Sequence, residues 1–163
     1  MTLGERIDQY IFDEGIAVEE VPLRHYNGFY DYENDWIQPI ITINSEIDSE
    51  TLKTATKAHE LGHHFTLSTD LFFAPYLIKS RDEHRANRWA AEYYMPIEKL
   101  IELFEKGCRT PLDLSDQLEI PIEHLYNGID MYCRKYGQYK DLGQYRIFWN
   151  PFNIKKDLRR KAK

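Results

Sequence analysis

Two histidines and a glutamate stand close together in the segment His59-Glu60-Leu61-Gly62-His63, which has the spacing HExxH. Residues i and i+4 share one face of a helix, so both imidazoles can reach a single zinc ion at about 2.0–2.1 Å. Glu60 follows the first histidine and is placed to take a proton from water at that metal, as the general base of a metalloprotease. The segment therefore predicts a zinc site with hydrolytic chemistry.

Two histidines leave a catalytic zinc site one protein ligand short. Glu83 stands further along the chain, in a segment that predicts a helix, and its carboxylate can complete the site. Asn87 follows one helical turn later, where its side chain can hydrogen-bond the far nitrogen of a ligand histidine and fix its tautomer. Gly62 costs about 1 kcal/mol inside a helix, and a close approach by another part of the chain would explain its presence.

The segments before HExxH predict one helix and a small sheet. Apolar residues at helical spacing predict the helix, and short apolar runs predict a strand followed by a hairpin. Pro39 cannot donate to a strand ladder, so the second hairpin strand should lie at a sheet edge or begin at Ile40. The predicted segments are 3–13 (helix), 16–23 (strand), 29–32 and 36–43 (hairpin strands) and 33–35 (hairpin turn).

From residue 50 onward the pattern is mainly helical. One predicted helix carries HExxH, and a second carries Glu83 and ends before Pro96. Because strands come first and helices dominate afterwards, the predicted class is α+β, with a small N-terminal sheet, an HExxH helix and a helical C-terminal half. The predicted helices are 50–67, 81–95, 97–106, 111–118 and 121–135, with 68–80 irregular.

Length and composition favour one globular domain that acts inside the cell. The chain has 163 residues, of which 42% are hydrophobic and 29% charged, values typical of a folded domain. No apolar run approaches the roughly 20 residues of a membrane span, and the acidic, mixed N-terminus does not resemble a signal peptide. A cytoplasmic location is therefore expected, and with it free thiols at Cys108 and Cys133.

Charge is distributed unevenly along the chain. The formal net charge is −6, yet residues 155–163 contain six basic residues and one acidic residue. Because nucleic-acid binding selects for basic surfaces, the acidic remainder is not expected to bind DNA directly. Residues 111–135 loosely resemble a helix-turn-helix, but acidic residues in its second helix would repel phosphates. We predict a domain over 1–135, including a helical unit at about 97–135, and a Tyr- and Gly-rich, then basic tail at 136–163.

Three motifs taken together resemble the ImmA/IrrE family of zinc metallopeptidases, over about residues 16–96. They are HELGHH at 59–64, ExxANxxA from Glu83 to Ala90, and Met95-Pro96 at a helix end. The resemblance implies a zincin-like single domain of the gluzincin type with one zinc per chain and a protein substrate. Family members act as antirepressors in phages, mobile elements or stress responses, so a helix-turn-helix repressor is the expected substrate.

The resemblance also implies roles for individual residues. Its register favours Glu83 over the neighbouring Asp82 as the third ligand. Trp89 and Tyr93-Tyr94 stand where the family commonly has phenylalanine and two leucines, which changes packing and leaves the metal site intact. The implied metal ligands are His59, His63 and Glu83, and the implied catalytic base is Glu60.

The sequence also contains candidates for contacts with the substrate. The strand around Ile40–Ile43, including Ile41, is the candidate platform on which an extended peptide adds as a further strand. The oxyanion that forms during hydrolysis needs a second donor, and the residue types leave several candidates open. These candidates are Tyr76, Tyr93, Tyr94, His64 and His84.

A function of another class stands beside the peptidase. The chain could keep a zincin fold and bind a repressor or antitoxin-like partner without cutting it. The intact Glu60 argues against this alternative, because a binding module has no need of a base beside its metal ligand. Cleavage by the wild type and binding alone by a Glu60→Gln variant would favour the enzyme.

Overall fold

The computed structural model describes residues 1–32, 38–66 and 76–157. Over these ranges the chain forms six helices and six strands, so the predicted α+β class is confirmed. The chain divides into two compact units, Met1–Tyr94 and Met95–Lys163.

The first unit opens with helix α1 (Leu3–Asp13), whose start is fixed by a capping box. The hydroxyl of Thr2 accepts from the backbone N–H of Glu5, and the Glu5 carboxylate accepts from the backbone N–H of Thr2. These bonds satisfy groups that a helix start leaves without partners. The apolar stripe of α1 is buried and consists of Leu3, Ile7 and Ile11.

Three strands form the sheet of the first unit: β1 (Ala17–Val21), β2 (Gly28–Asp31) and β3 (Ile40–Asn44), in the spatial order β1-β3-β2. β2 runs antiparallel to β3, which confirms the pairing of the predicted hairpin, and β1 runs parallel to β3. The predicted turn at 33–35 lies outside the described residues. β3 begins directly after Pro39, as one of the two predicted options required. The other option, an edge position, is wrong because β3 lies between its two neighbours.

Two long helices complete the first unit: α2 (Glu50–Thr66) and α3 (Tyr76–Tyr94). α2 agrees with the prediction to within a residue, whereas α3 begins earlier than predicted, and residues 67–75 lie outside the described part. The two helices pack closely at Gly62, where a Cβ atom would lie 2.5 Å from the carbonyl oxygen of Ala86. This close approach, which the sequence led us to expect, explains the glycine inside α2.

The second unit begins with three helices: α4 (Ile97–Glu105), α5 (Pro111–Leu118) and α6 (Ile122–Tyr136). Each agrees with its predicted bounds to within a residue. The start of α5 is capped by Thr110, whose hydroxyl accepts from the backbone N–H of Asp113. The apolar faces of the three helices are buried and include Leu100, Leu103, Leu114, Leu118, Leu125 and Ile129.

A second sheet follows these helices: β4 (Tyr139–Leu142), β5 (Tyr145–Trp149) and β6 (Phe152–Lys156), antiparallel in the order β4-β5-β6. The interpretation of 136–163 as a tail is corrected here. The strands are short and rich in tyrosine and lysine, so their alternation was weak in the sequence. Residues 158–163 of the predicted tail lie outside the described part. The residues that this sheet buries are Ile147, Trp149 and Ile154.

The division into two units differs from the predicted domain over 1–135. The predicted helical unit at about 97–135 belongs to the second unit, together with the sheet that follows it. α6 contacts both β4 and β5, and its Tyr132 ring stacks on Trp149 with the ring centroids 4.9 Å apart. The sheet and the helices of the second unit therefore share one core.

Two expectations from composition can be compared with the structure. Cys108 and Cys133 are both free thiols, as predicted. Both residues lie in the second unit and are partly buried. Within the described ranges, no helix combines the length and the hydropathy that crossing a membrane would require.

Candidate metal centre

Helix α2 brings three side chains of the HExxH motif together, as the sequence predicts. The potential ligand atoms of His59, Glu60 and His63 all lie within 4.8 Å of one another. The Nε2 atoms of the two histidines are 3.1 Å apart, and their rings are almost perpendicular, at 88°. This arrangement follows from one helical turn, which sets residues i and i+4 above each other on one face.

Glu83 reaches the same point from helix α3. Its Oε2 lies 3.3 Å from Nε2 of His59, and its Oε1 lies 3.3 Å from Nε2 of His63. Donor atoms bound tetrahedrally to one zinc ion at about 2.0 Å stand about 3.3 Å from one another. The three side chains therefore present their nitrogen and oxygen donors at the separation that a zinc ion requires.

The close packing of α2 and α3 makes this convergence possible. Gly62 lies on α2 between the two histidines, and Ala86, which it contacts, lies one turn after Glu83 on α3. The neighbouring Asp82 is fully buried and accepts a hydrogen bond from Arg85 at 3.3 Å. Of the two adjacent carboxylates, the structure brings Glu83 to the histidines.

Asn87 stands one turn after Glu83 and lies beside the first histidine. Its amide oxygen is 3.1 Å from Nδ1 of His59. An Nδ1–H that donates to this oxygen leaves the lone pair of Nε2 directed toward Glu83. The Nδ1 atom of His63 is buried and has no hydrogen-bond partner among the described residues. Among the described residues, a side-chain acceptor therefore orients the imidazole of His59 but not that of His63.

Burial, hydrogen bonds and charges within the cluster shift the pKa values of three groups. Hydrogen bonds from His59 and then from His63 hold the pKa of Glu83 well below its usual range. Burial raises the pKa of Glu60 against the opposing charges of the two histidines. Burial also lowers the pKa of His59, but the hydrogen bond to Glu83 and the nearby carboxylate charges outweigh burial, so the pKa is raised. Glu60 is thus a stronger base than an exposed glutamate.

Tyr30 on strand β2 is a part of the site that the sequence did not reveal. Its backbone N–H donates a hydrogen bond to the Glu60 carboxylate, and its hydroxyl lies 2.8 Å from Nδ1 of His64. Nε2 of His64 in turn lies 3.5 Å from the carboxylate of Glu14. Burial raises the pKa of Tyr30 to about 12, so the phenol keeps its proton at neutral pH. The sequence did not distinguish Tyr30 from Phe29, because the position of β2 over α2 depends on the tertiary fold.

A cleft of about 440 Å³ opens beside the donor cluster. One wall is strand β2, which within the described residues pairs on one side only. β3 pairs on both sides, and its Ile41 side chain is completely buried. The prediction that a peptide docks on β3 at Ile41 is therefore wrong, because that strand has no free edge. The lining residues are Tyr26, Gly28, Phe29, Tyr30, His59, Glu60, His63 and Glu83.

Two of the candidate oxyanion donors, Tyr93 and Tyr94, are not among these lining residues. The hydroxyl of Tyr93 donates to the backbone carbonyl of Arg6 at 3.4 Å, and its ring stacks on Trp89 with the ring centroids 5.2 Å apart. Tyr94 is buried, and burial raises its pKa. The Tyr93 hydroxyl therefore bonds to α1, and the Tyr94 side chain is part of the core.

The remaining candidates differ in their surroundings. His84 is exposed on α3, and the side chain of Tyr76 lies outside the described residues. His64 does not line the cleft itself but contacts the Tyr30 hydroxyl, which belongs to a residue that does. Of the predicted candidates that the structure describes, His64 is the one connected to the cleft.

A comparison with known protein families can be set beside this geometry. A family model described as the IrrE N-terminal-like domain matches residues 12–129. The match covers more than half of the chain and includes the HExxH motif on α2 as well as Glu83 and Asn87 on α3. No curated protein matches the chain.

Proposed function

The chain belongs to the IrrE N-terminal-like peptidase family, and on that premise we propose that it is a zinc-dependent endopeptidase that cleaves a regulatory protein. The family assignment confirms the ImmA/IrrE resemblance of the sequence motifs. One observation carries the proposal: the Nε2 atoms of two histidines on one helix and the two carboxylate oxygens of Glu83 on another converge at 3.1–3.3 Å beside a buried glutamate. That arrangement is the one a catalytic zinc site requires.

The donor chemistry favours zinc at this centre. Two imidazole nitrogens and one carboxylate leave a fourth position for water or substrate, whereas structural zinc sites usually close all four positions with cysteines and histidines. His59, His63 and Glu83 would hold one ion per chain. A zinc ion bound there supplies Lewis-acid polarisation of the peptide carbonyl and makes water more acidic.

Glu60 is the proposed general base. Its side chain is buried beside the ligands, and the backbone N–H of Tyr30 holds its carboxylate in place. Because burial raises the pKa of Glu60, the carboxylate accepts a proton from water more readily than an exposed glutamate would. The same oxygen can then deliver that proton to the leaving amine.

Strand β2 is the proposed docking edge for the substrate backbone. An extended peptide that adds to its open side exchanges main-chain hydrogen bonds with β2 and lies along the cleft. Phe29 and Tyr26 line the cleft and remain 43% and 70% exposed. Their apolar surfaces favour an apolar side chain next to the bond that is cleaved.

A helix-turn-helix repressor is the proposed class of substrate, as the family resemblance implies. The charge of the first unit supports this choice, because residues 1–94 contain 8 basic and 17 acidic residues. So acidic a unit attracts basic proteins, and proteins that bind DNA carry basic surfaces. A cytoplasmic location is part of the same proposal.

Zinc content and cleavage together test the proposal. Wild type and Glu60→Gln, purified without chelator or histidine tag, should each contain about one zinc per chain by elemental mass spectrometry. Both proteins are then incubated with a proteome-derived peptide library, and new termini are identified by mass spectrometry. We expect cleavage by the wild type and none by Glu60→Gln.

The alternative predicts a different result in the same experiment. A non-enzymatic zincin-fold protein that binds a repressor or antitoxin-like partner would contain zinc and would cleave no peptide. A wild type that takes up no zinc on titration would contradict both, because His59, His63 and Glu83 would then not act together as ligands.

A further inference from the structure

The sheet β4-β5-β6 has one face that the proposed peptidase does not use. Ile147 on β5 and Ile154 on β6 are buried against the core of the second unit. Side chains alternate along a strand, so the neighbours of these residues point to the opposite face. The outer face contains two rows of residues that run across the three strands in register. One row is Tyr139, Phe148 and Asn153, and the other is Asp141, Arg146 and Lys155.

Two aromatic rings stand side by side on the outer face. The ring centroids of Tyr139 and Phe148 are 5.9 Å apart, and Tyr139 remains 45% exposed. A ring that is so exposed contributes little to a hydrophobic core. Aromatic rings on the open face of a small antiparallel sheet can instead stack on the unpaired bases of a nucleic acid.

Each of these rings has a cation beside it. The guanidinium carbon of Arg146 lies 4.4 Å from the ring centroid of Tyr139, and Nζ of Lys155 lies 5.3 Å from that of Phe148. Arg146 also forms a two-pronged ion pair with Asp141, at 2.6 and 2.9 Å, which fixes its planar group next to the ring. Lys155 is exposed, so its ammonium can reach a phosphate.

Net charge separates this end of the chain from the rest. Residues 136–163 contain 8 basic and 2 acidic residues, whereas residues 1–135 contain 13 basic and 25 acidic residues. A polyanion is attracted to the first of these segments and repelled by the second. Of these basic residues, β4, β5 and β6 contain Lys140, Arg146, Lys155 and Lys156.

We propose that the outer face of the sheet β4-β5-β6 binds single-stranded nucleic acid. Tyr139 and Phe148 stack on bases, while Lys155 contacts phosphates. An acidic polypeptide would use the cations but not the flat rings, and a duplex would keep its bases stacked away from them. None of these residues lines the cleft, so the proposal does not depend on the peptidase function.

Fluorescence anisotropy with the full-length protein tests this site. The probes are labelled strands of about 15 nucleotides: single-stranded RNA, single-stranded DNA of the same sequence, and the DNA duplex. We expect both single strands to bind more tightly than the duplex. Tyr139→Ala should weaken binding at least about fivefold, whereas Tyr126→Ala, at a tyrosine on α6 that is 54% exposed, should leave it unchanged.

Salt dependence tests the phosphate contact separately. Lys155→Ala should reduce the slope of log K against log salt by about 0.7, the value for one phosphate contact on a single strand. Lys106→Ala, at an exposed lysine directly after α4, is the matched control and should keep the wild-type slope. Tighter binding of RNA than of DNA would identify RNA as the natural form of the ligand, and the reverse would identify DNA.

Several results would overturn the proposal. They are no binding to either single strand at about 50 mM salt, a preference for the duplex, equal losses for Tyr139→Ala and Tyr126→Ala, or displacement of the probe by polyglutamate as readily as by unlabelled strand. Circular dichroism verifies that each variant is folded. If Tyr139→Ala is not, Tyr139→Leu keeps the apolar bulk, removes the flat ring and is read in the same way.

Discussion

The hydroxyl of Tyr30 and Nδ1 of His64 lie 2.8 Å apart, and this contact joins the edge strand β2 to the helix that carries His59 and His63. The same tyrosine donates its backbone N–H to the carboxylate of Glu60. His64 continues the connection to Glu14 at the end of α1, with 3.5 Å between the charged atoms. The wall of the cleft and the proposed base are therefore positioned by one residue.

Tyr30→Phe should lower the free energy of unfolding by about 1 kcal/mol, because Nδ1 of His64 loses its hydrogen-bond partner. Zinc content should stay unchanged, since phenylalanine keeps the backbone N–H that holds Glu60. Urea denaturation of the zinc-loaded protein measures the loss. Tyr32→Phe, at a tyrosine that is 62% exposed, is the matched control. Loss of zinc with unchanged stability would contradict this assignment.

Gly62→Ala should destabilise the protein, although alanine in a helix interior is normally favoured over glycine by about 0.5–1 kcal/mol. The new Cβ would lie 2.5 Å from the carbonyl oxygen of Ala86, so α3 must move and carry Glu83 away from the histidines. We expect a lower free energy of unfolding and weaker zinc binding in competition with a chelator.

The matched control for this substitution is Gly4→Ala on α1. A Cβ at Gly4 meets the hydroxyl of Thr54 at 3.2 Å, and that side chain can rotate away. Gly4→Ala should therefore retain the wild-type stability and zinc affinity. If Gly62→Ala also retained both, the close approach of α2 and α3 would not be what places Glu83.

The convergence of side chains at the candidate metal centre was predictable from sequence because local geometry determines most of it. His59 and His63 are one helical turn apart, and the glycine between them marks the place where α3 approaches. The choice of Glu83 over Asp82 needed a family motif. A helical pattern alone does not show which of two adjacent carboxylates faces another helix.

Contacts that depend on long-range pairing were not predictable. β1 joins β3 in parallel, and no local pattern encodes that pairing, so the free edge was assigned to the strand of Ile41 instead of to β2. Tyr30 was missed for the same reason. The second sheet was missed because tyrosine and lysine occupy many positions of its short strands, so the alternation of apolar and polar residues is weak there.

Asn87→Ala should weaken zinc binding about 10- to 100-fold, because Nδ1 of His59 loses the acceptor that fixes its tautomer. Asn87→Asp keeps an acceptor oxygen at the same place and should retain the affinity. A competition titration with a chelator at constant pH measures both variants. Asn127→Ala, at an exposed residue of α6, is the control. Equal losses for alanine and aspartate would show that the oxygen at residue 87 does not orient the ligand.

The metal-free centre should be most stabilising within a defined pH window. Hydrogen bonds from the two histidines lower the pKa of Glu83, so its contribution is present above its unfolded pKa of about 4.3 and is lost as the pH falls through the lower folded value. The pKa of His59 is raised, so its contribution is present below its unfolded pKa of about 6.5 and is lost as the pH rises through the folded value. Both contributions are complete between about pH 4.3 and 6.5.

Glu83→Gln should therefore lower the free energy of unfolding of chelator-treated protein more at about pH 5.5 than at about pH 8. Denaturant titrations of wild type and variant at both pH values measure this loss. Because both proteins contain Glu60, subtracting one free energy of unfolding from the other reduces the contribution of Glu60 to the pH dependence. Glu98→Gln, at an exposed glutamate of α4, is the control and should change the free energy of unfolding equally at both pH values. Zinc requires a neutral imidazole, so the zinc affinity of the wild type should fall as the pH drops through the raised pKa of His59. Equal losses for Glu83→Gln at the two pH values would mean that Glu83 does not pair with a protonated His59.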